Sequence, residues 1–461
     1  MQALTRDAAT FVANLRFEDI PHSALRTVGA GFCDCVGVML AASNEKAVNI
    51  LTELEQLDQS RSGGRVLLSP YTARPRDVAL INGTAAHALD FDDIGLGSHP
   101  AHPSAVLVPT ILAIADQLGL SGKQMIVAYV AGYEVWGEIA LRDQDQYHTK
   151  GWHPTGVFGA IAAASASASM LGLDTSQTMA ALSIAASRSS GLISNYGSMT
   201  KPMHAGLAAH TGIFAAELAS KGFTGGGEAI EHPQGLLRAV SPRGKIDLNT
   251  KSQLGEQWNI VNLPLGFKQY PVCYAMHRAV DAAIEVHRTI GDRLFSIQRV
   301  SVSIGEDQAK LLHIHQPSDA LQGKFSLEFG VAGALVAGRL GLSQVKDNFV
   351  RDPHVRALMS KIEIQIDSAR DPIYKVFSPC DSVRIEFGDG SIIQRDVSVA
   401  KGHPLAPLAE ESFRKKFHDC TFKWLEEQDI ALCFDSLFHL EQLPNSQELP
   451  YSTWYPLNSR I

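Results

Sequence analysis

The sequence predicts a mainly α protein with an α+β second domain. Three observations carry this. Ala/Leu-rich segments with helical spacing follow one another through the first half of the chain. Alternating β patterns replace them after about residue 265, and a helical pattern returns from Ala409. The implied organisation is a helical domain over residues 1–265, completed by C-terminal helices within 400–461, with an α+β domain inserted at 266–399. A length of 461 residues is ample for two or three domains.

In chain order, helices are expected at Ala105–Leu118, Gly122–Leu141, Val157–Leu171 and Ser176–Ser187. Leu118-Gly119-Leu120-Ser121 ends one helix on a glycine and opens the next on a serine, and Leu171-Gly172-Leu173-Asp174-Thr175 repeats the device. Small residues fill Ala160–Ser169, which suits helices in close mutual contact. Gly225, Gly226 and Gly227 follow no strand, so they read as a loop and not a phosphate cradle. In the second domain, Arg299–Gly305, Lys361–Asp367 and Ser382–Phe387 alternate as strands. The last runs through Gly388-Asp389-Gly390 into Ser391–Val399 as a hairpin. Helical patterns at Tyr274–Thr289 and Phe325–Ala337 accompany them.

Composition is that of a globular protein: 45% hydrophobic and 19% charged. A net charge of −8 argues against nucleic acid or an anionic membrane surface as the main partner. No run of about 18 apolar residues free of charge is present, which argues against a transmembrane helix. The N-terminus carries Asp7, Glu18 and Asp19 and lacks a signal-peptide core. The six cysteines form no CxxC pair and no zinc-finger spacing, so a reducing, cytoplasmic location is expected.

The segment from His87 to Ser104, HALDFDDIGLGSHPAHPS, concentrates His87, Asp90, Asp92, Asp93, His99 and His102 around a Gly-Leu-Gly-Ser turn. Carboxylates and imidazoles this close either bind a metal or move protons. The plainer alternative is a capped loop between two helices, with prolines closing the turn. Three further segments offer chemistry. YHTKGWHPTG (Tyr147–Gly156) puts His153 near a helix N-terminus, where amide donors favour an anion, or where His153 is simply the cap residue. SMTKPMHAG (Ser198–Gly206) places Lys201 just before a proline expected to start a helix at Pro202, with His204 beyond it. A lysine in apolar surroundings binds a carboxylate or acts as a base, whereas a lone lysine is ordinarily solvated. GFKQYPVCY (Gly266–Tyr274) lies at the domain junction, where clefts form. It offers Lys268, Tyr270 and Cys273 as acid/base groups, or else is a linker with Tyr270 packed and Cys273 a small buried hydrophobe.

Taken in order, DFDD, HPAHPSA, GWHPTG, TKPMHAG and FKQYPVCYAMH, with KFSLEFGVAGAL (Lys324–Leu335) and the RIEFGDG hairpin, resemble the MmgE/PrpD family. That family includes 2-methylcitrate dehydratase, cis-aconitate decarboxylase and iminodisuccinate epimerase, and the likeness covers nearly the whole chain. It implies a large all-helical domain plus a smaller α+β lid domain, an active site in the cleft between them, a homodimer, and no metal or organic cofactor. The decarboxylase pattern, carried over residue by residue, implies Asp90, His102, His153, Lys201 and Lys268 as catalytic. His99, Tyr147, His204, Tyr270 and Cys273 are assigned to substrate binding around them. Two positions depart from the animal decarboxylases: Ile94 stands for a threonine and Cys273 for a histidine. The tryptophan- and asparagine-containing opening motif of 2-methylcitrate dehydratases is absent.

The expected function is therefore a cofactor-independent acid/base enzyme acting at the carbon next to a carboxylate of a small anionic polycarboxylate. A 2-methylcitrate-dehydratase-like lyase comes first; an epimerase of an iminodisuccinate-like dicarboxylate and a cis-aconitate-type decarboxylase are the alternatives. Lysine and histidine would hold the carboxylates, and Asp90 would orient His102, while Asp92 and Asp93 read as structural caps. A metal-dependent hydrolase fits less well, because no HExxH motif is present and the acids are consecutive. A non-catalytic tricarboxylate-binding protein is the remaining reading.

Overall fold

A computed structural model describes residues 3–55, 63–69, 72–95, 100–372 and 376–450. The protein is mainly helical, with one four-stranded sheet in the C-terminal half of the described residues. The chain forms two compact units. The first comprises Met1–Ser194, Thr200–Leu265 and Ala409–Ile461; the second comprises Asn195–Met199 and Gly266–Leu408.

In the first unit, helices Pro103–Leu118, Gly122–Ala140, Pro154–Met170 and Thr175–Ser187 cover the segments whose spacing predicts them. Their ends follow local chemistry. Gly119 takes φ +64 to close the first, and its N–H bonds the Ala115 carbonyl at 2.7 Å. Ser121 with Gln124, and Asp174 with Gln177, form reciprocal capping boxes that open the next helices.

Helix Thr200–Ser220 packs against both Pro75–Ala88 and Pro154–Met170, and the contact is made by backbone. A Cβ added at Gly206 would lie 2.2 Å from the Leu80 carbonyl oxygen, and one at Gly212 would lie 2.3 Å from the Ala163 Cβ. Only glycine permits this approach, which brings the ends of the three helices together. Helix His22–Ala41 is long and apolar enough to cross a membrane by length and composition, yet 78% of its apolar window is buried inside the protein. It carries Arg26 and Asp34 and serves as a core helix.

In the second unit the sheet order is Ile362–Asp367, Ile297–Gly305, Asp381–Phe387, Ile392–Val397. The first pair is parallel and the others antiparallel. Val383, Ile385 and Phe387 alternate inward, onto a core shared with helices His277–Ile290 and Leu327–Ala337. The spacing predicts one helix from Tyr274; the structure has a 3₁₀ turn over Tyr274–Met276 before the α-helix starts at His277. Arg278 anchors this unit, donating to Asp381 Oδ1 at 2.7 Å and to the Ser378 carbonyl at 3.0 Å. The unit runs on to Leu408 because the Gly402 carbonyl takes the Phe267 N–H at 2.8 Å and Asp281 takes the Lys401 N–H at 3.0 Å.

Candidate active site

In the first unit, one helix C-terminus and three helix N-termini carry the candidate residues. Helix Pro75–Ala88 ends on His87 and Ala88. The chain then turns through Asp90, which holds φ +53, a left-handed conformation that a non-glycine residue adopts only when its surroundings enforce it. Phe91, Asp92 and Asp93 follow. The loop closes where Gly95 N–H meets the Ala101 carbonyl at 2.7 Å, which returns the chain to His102. His102 and His153 are N-cap residues, each followed by proline at the first helical position, and neither uses its side chain as a cap. The His102 N–H binds Thr155 Oγ1 at 3.2 Å, tying these two helix starts together. Lys201 and His204 lie in the first turns of Thr200–Ser220. Helix N-termini present amide donors and partial positive charge, which suits an anionic ligand.

Asp92 is the hub. Its side chain is fully buried, and both of its oxygens lie 3.0 Å from His87 Nδ1. Asp92 Oδ2 also lies 3.1 Å from His102 Nδ1, which is 2.8 Å from the Asp93 carbonyl oxygen. A carbonyl only accepts, so His102 Nδ1 carries a proton, and in the neutral ring the lone pair is then on Nε2. Burial alone would raise the Asp92 carboxyl, but the imidazoles of His87 and His102 outweigh it and hold the group well below the usual carboxylate range. His87 is moved down to about 3 by burial, against the pull of Asp92. Its Nε2 is buried without a hydrogen-bond partner among the described residues.

Asp93, the next residue, behaves oppositely. Burial, helped by the charges of Asp34 and Asp92, pushes its carboxyl well above the usual range. It accepts the Ser104 hydroxyl, which lies 2.7 Å from the Tyr129 hydroxyl. The carboxyls of two adjacent aspartates are thus driven in opposite directions by their surroundings. Asp90 is the third acid, and the Lys201 ammonium donates to its Oδ1 at 2.7 Å. His153 Nδ1 lies 3.1 Å from His204 Nδ1, so one ring donates and the other accepts. Burial lowers His153 well below its ordinary value and His204 to about 4, leaving a neutral pair. The His87 ring lies 4.4 Å from that of His102 and 5.7 Å from that of His153.

For a metal, His87, Asp90 and His102 offer donor atoms within 4.8 Å of one another. The Lys201 ammonium already supplies positive charge to Asp90, and a second cation there would be repelled. The arrangement suits proton transfer beside a bound anion better than metal coordination.

Residues 6–249 match the MmgE/PrpD N-terminal domain and residues 270–437 the MmgE/PrpD C-terminal domain. The chain belongs to the MmgE/PrpD family. Its relatives include cis-aconitate decarboxylase of Mus musculus, 25% identical over 97% of this chain and 93% of that protein. Cis-aconitate decarboxylase of Aspergillus terreus is 25% identical over 97% and 95%. 2-Methylcitrate dehydratase of Escherichia coli K12 is 25% identical over 72% of this chain and 71% of that protein.

Of the MmgE/PrpD residues expected at the site, Asp90, His102, His153, Lys201 and His204 are brought together in the first unit. Three expectations change. Asp90 pairs with Lys201 instead of orienting His102; Asp92 does that work, so it is no structural cap. Asp93 does take the Ser104 N–H in the first helical turn, at 3.4 Å. Lys201 lies inside the helix, which starts at Thr200, because the proline at position 202 is still within the first turn, where its missing N–H costs no intrahelical bond. Tyr147 is wholly buried, with its hydroxyl on the Ala140 carbonyl at 3.2 Å and its ring against Phe158.

In the second unit, Lys268 is 1% exposed. Tyr270 gives its hydroxyl to Asp281 Oδ1 at 2.6 Å and packs in the core. Cys273 is half-buried, and its N–H bonds the Lys324 carbonyl at 2.9 Å. His99 lies outside the described residues. His87 and Asp92 were missing from the expected set. The available signal was their five-residue spacing across a helix end, which lets a loop carboxylate fold back onto an imidazole of the last turn.

Proposed function

We propose that this protein is a lyase that removes a proton from the carbon next to a carboxylate of a small polycarboxylate and eliminates a β-hydroxyl as water. The observation that carries the reading is the Asp92–His102 pair beside the Asp90–Lys201 ion pair. His102, with its proton fixed on Nδ1, takes the substrate proton at Nε2, and Asp92 stabilises the imidazolium that results. The Lys201 ammonium and the helix N-termini at His102 and His153 draw negative charge onto the substrate carboxylate as the C–H bond breaks. The neutral His153–His204 pair offers an N–H hydrogen bond to the β-hydroxyl, and the proton that His102 takes from carbon is the one handed to the departing oxygen, so that water leaves and His102 returns to its neutral form.

Decarboxylation is the second reading, favoured by similarity to cis-aconitate decarboxylases over 97% of the chain. The same groups would then stabilise the carbanion left by loss of carbon dioxide. One experiment separates the readings. The protein is incubated in deuterated water with citrate-like, aconitate-like and aspartate-derived polycarboxylates and followed by NMR. New alkene signals without carbon loss support dehydration, and release of carbon dioxide supports decarboxylation. α-Deuteration with inversion would mean epimerisation. No turnover and no deuterium incorporation with any of them would overturn the acid/base assignment.

A further inference from the structure

One buried lysine outside this chemistry touches the backbone that arranges it. Lys416 lies on helix Glu410–Thr421, which packs on His22–Ala41 so closely that a Cβ at Gly37 would sit 3.0 Å from the Phe417 ring. The Lys416 side chain is 7% exposed, and its ammonium lies 2.6 Å from Asp34 Oδ1, on a side chain with no exposure. The same ammonium donates to the Phe91 carbonyl oxygen at 2.7 Å and sits 4.0 Å from the centroid of the Phe91 ring. Phe91 is the single residue between Asp90 and Asp92. The contact therefore spans 325 positions of sequence to reach the turn where Asp90 holds its left-handed φ of +53.

We infer that Lys416, held by Asp34, is a positioning residue that locks the Asp90–Phe91–Asp92 turn, so that Asp90 meets Lys201 while Asp92 meets His87 and His102. The physical reason is over-determination. A non-glycine residue leaves the left-handed region unless its neighbours forbid it, and the peptide following Asp90–Phe91 is free to rotate unless its carbonyl is held. A buried ammonium fixes that carbonyl more firmly than a neutral donor, and Asp34 keeps the ammonium from being an uncompensated buried charge. With the carbonyl released, the turn relaxes and both aspartates lose their register with their partners. The inference rests on the reading of Asp92 and His102 as the proton-transfer pair.

The test uses the full chain with Lys416→Met and Asp34→Asn combined, so that no buried charge is orphaned. Proton NMR follows the downfield Nδ1–H resonances of His87 and His102, identified as those lost in Asp92→Asn. In the combined variant they are expected to shift or vanish while helicity is unchanged. On whichever polycarboxylate the wild type turns over, kcat is expected to fall roughly 10- to 100-fold, the cost of about an ångström of misplacement, with KM nearly constant. Added to Asp92→Asn, the pair should lower kcat by less than about threefold, since residues acting through one group are not additive. If the combined variant does not fold, Asp34→Asn alone should move the same resonances by a smaller amount. Unmoved resonances in the folded variant overturn the inference whatever the activity. A wild type inert toward every polycarboxylate overturns the function reading and leaves the NMR result to decide this one.

Discussion

Replacing Asp92 by asparagine tests the centre of the site. Asp92 Oδ2 serves both His87 and His102, and Oδ1 serves His87 again, at 3.0–3.1 Å. An amide has one acceptor and one donor. With its oxygen at the Oδ2 position, its NH₂ confronts the His87 Nδ1–H; flipped, it confronts both imidazoles. Two charge-assisted hydrogen bonds at about 1.5–3 kcal/mol each are weakened or inverted. Removing a fully buried carboxylate also recovers a desolvation penalty of several kcal/mol. These terms oppose each other, so the folded state is expected to survive with a melting temperature within a few degrees of wild type. Catalysis has no such compensation. The Asp93 carbonyl still holds the His102 tautomer, but His102 loses the charge that stabilises its imidazolium, and kcat is expected to fall roughly 10²–10⁴-fold. The assay is steady-state turnover of the substrate found by NMR, with circular dichroism confirming the fold. A folded Asp92→Asn protein whose kcat stays within about threefold of wild type would refute the reasoning.

Acid stability provides a second check. His87 takes a proton near its ordinary value of 6.5 when unfolded but only near 3 when folded, so the unfolded chain binds more protons between those values. Stability therefore falls with pH across that window, by about 1.4 kcal/mol per pH unit from this group, or about 2 kcal/mol at pH 5. His87→Gln should flatten the urea-denaturation profile between pH 7 and 5, and an unchanged slope would contradict the buried neutral assignment. Lys201→Met leaves Asp90 buried without its cation; at least 10²-fold loss of turnover is expected, along with stability lost as pH rises above the carboxylate range. Lys268→Met asks whether that lysine binds substrate: a raised KM in a folded protein is expected, and unchanged kinetics would remove it from the set. Gly206→Ala drives a methyl into the Leu80 carbonyl and Thr84 Oγ1, at 2.2 and 2.6 Å, and should cost several kcal/mol by chemical denaturation.

Much of the first unit was legible because its signals are local. Helical spacing, the Gly119 and Gly172 stops, and the Ser121 and Asp174 capping boxes each act within about one turn, so single-chain pattern reading reaches them. The same holds for Val383, Ile385 and Phe387, whose alternation declares a half-buried strand. Hydroxyl-bearing rings were harder. Tyr147 and Tyr270 have the right chemistry for a site, but only tertiary packing revealed that their hydroxyls bond the Ala140 carbonyl and Asp281.

The sequence by itself determined the family, the helical and α+β composition, and the set of histidines, acids and lysines from which the site is drawn. It did not determine who pairs with whom. Asp90, Asp92 and Asp93 are near neighbours in the chain, yet one meets Lys201, one meets two imidazoles, and one has its carboxyl pushed up by burial beside Ser104. Their spacing is the same in any fold. Their partners are set by where Gly206 lets two helices touch, and by how the chain turns at Asp90. Charge states follow from those partners and from burial, and neither exists until distant segments are packed together.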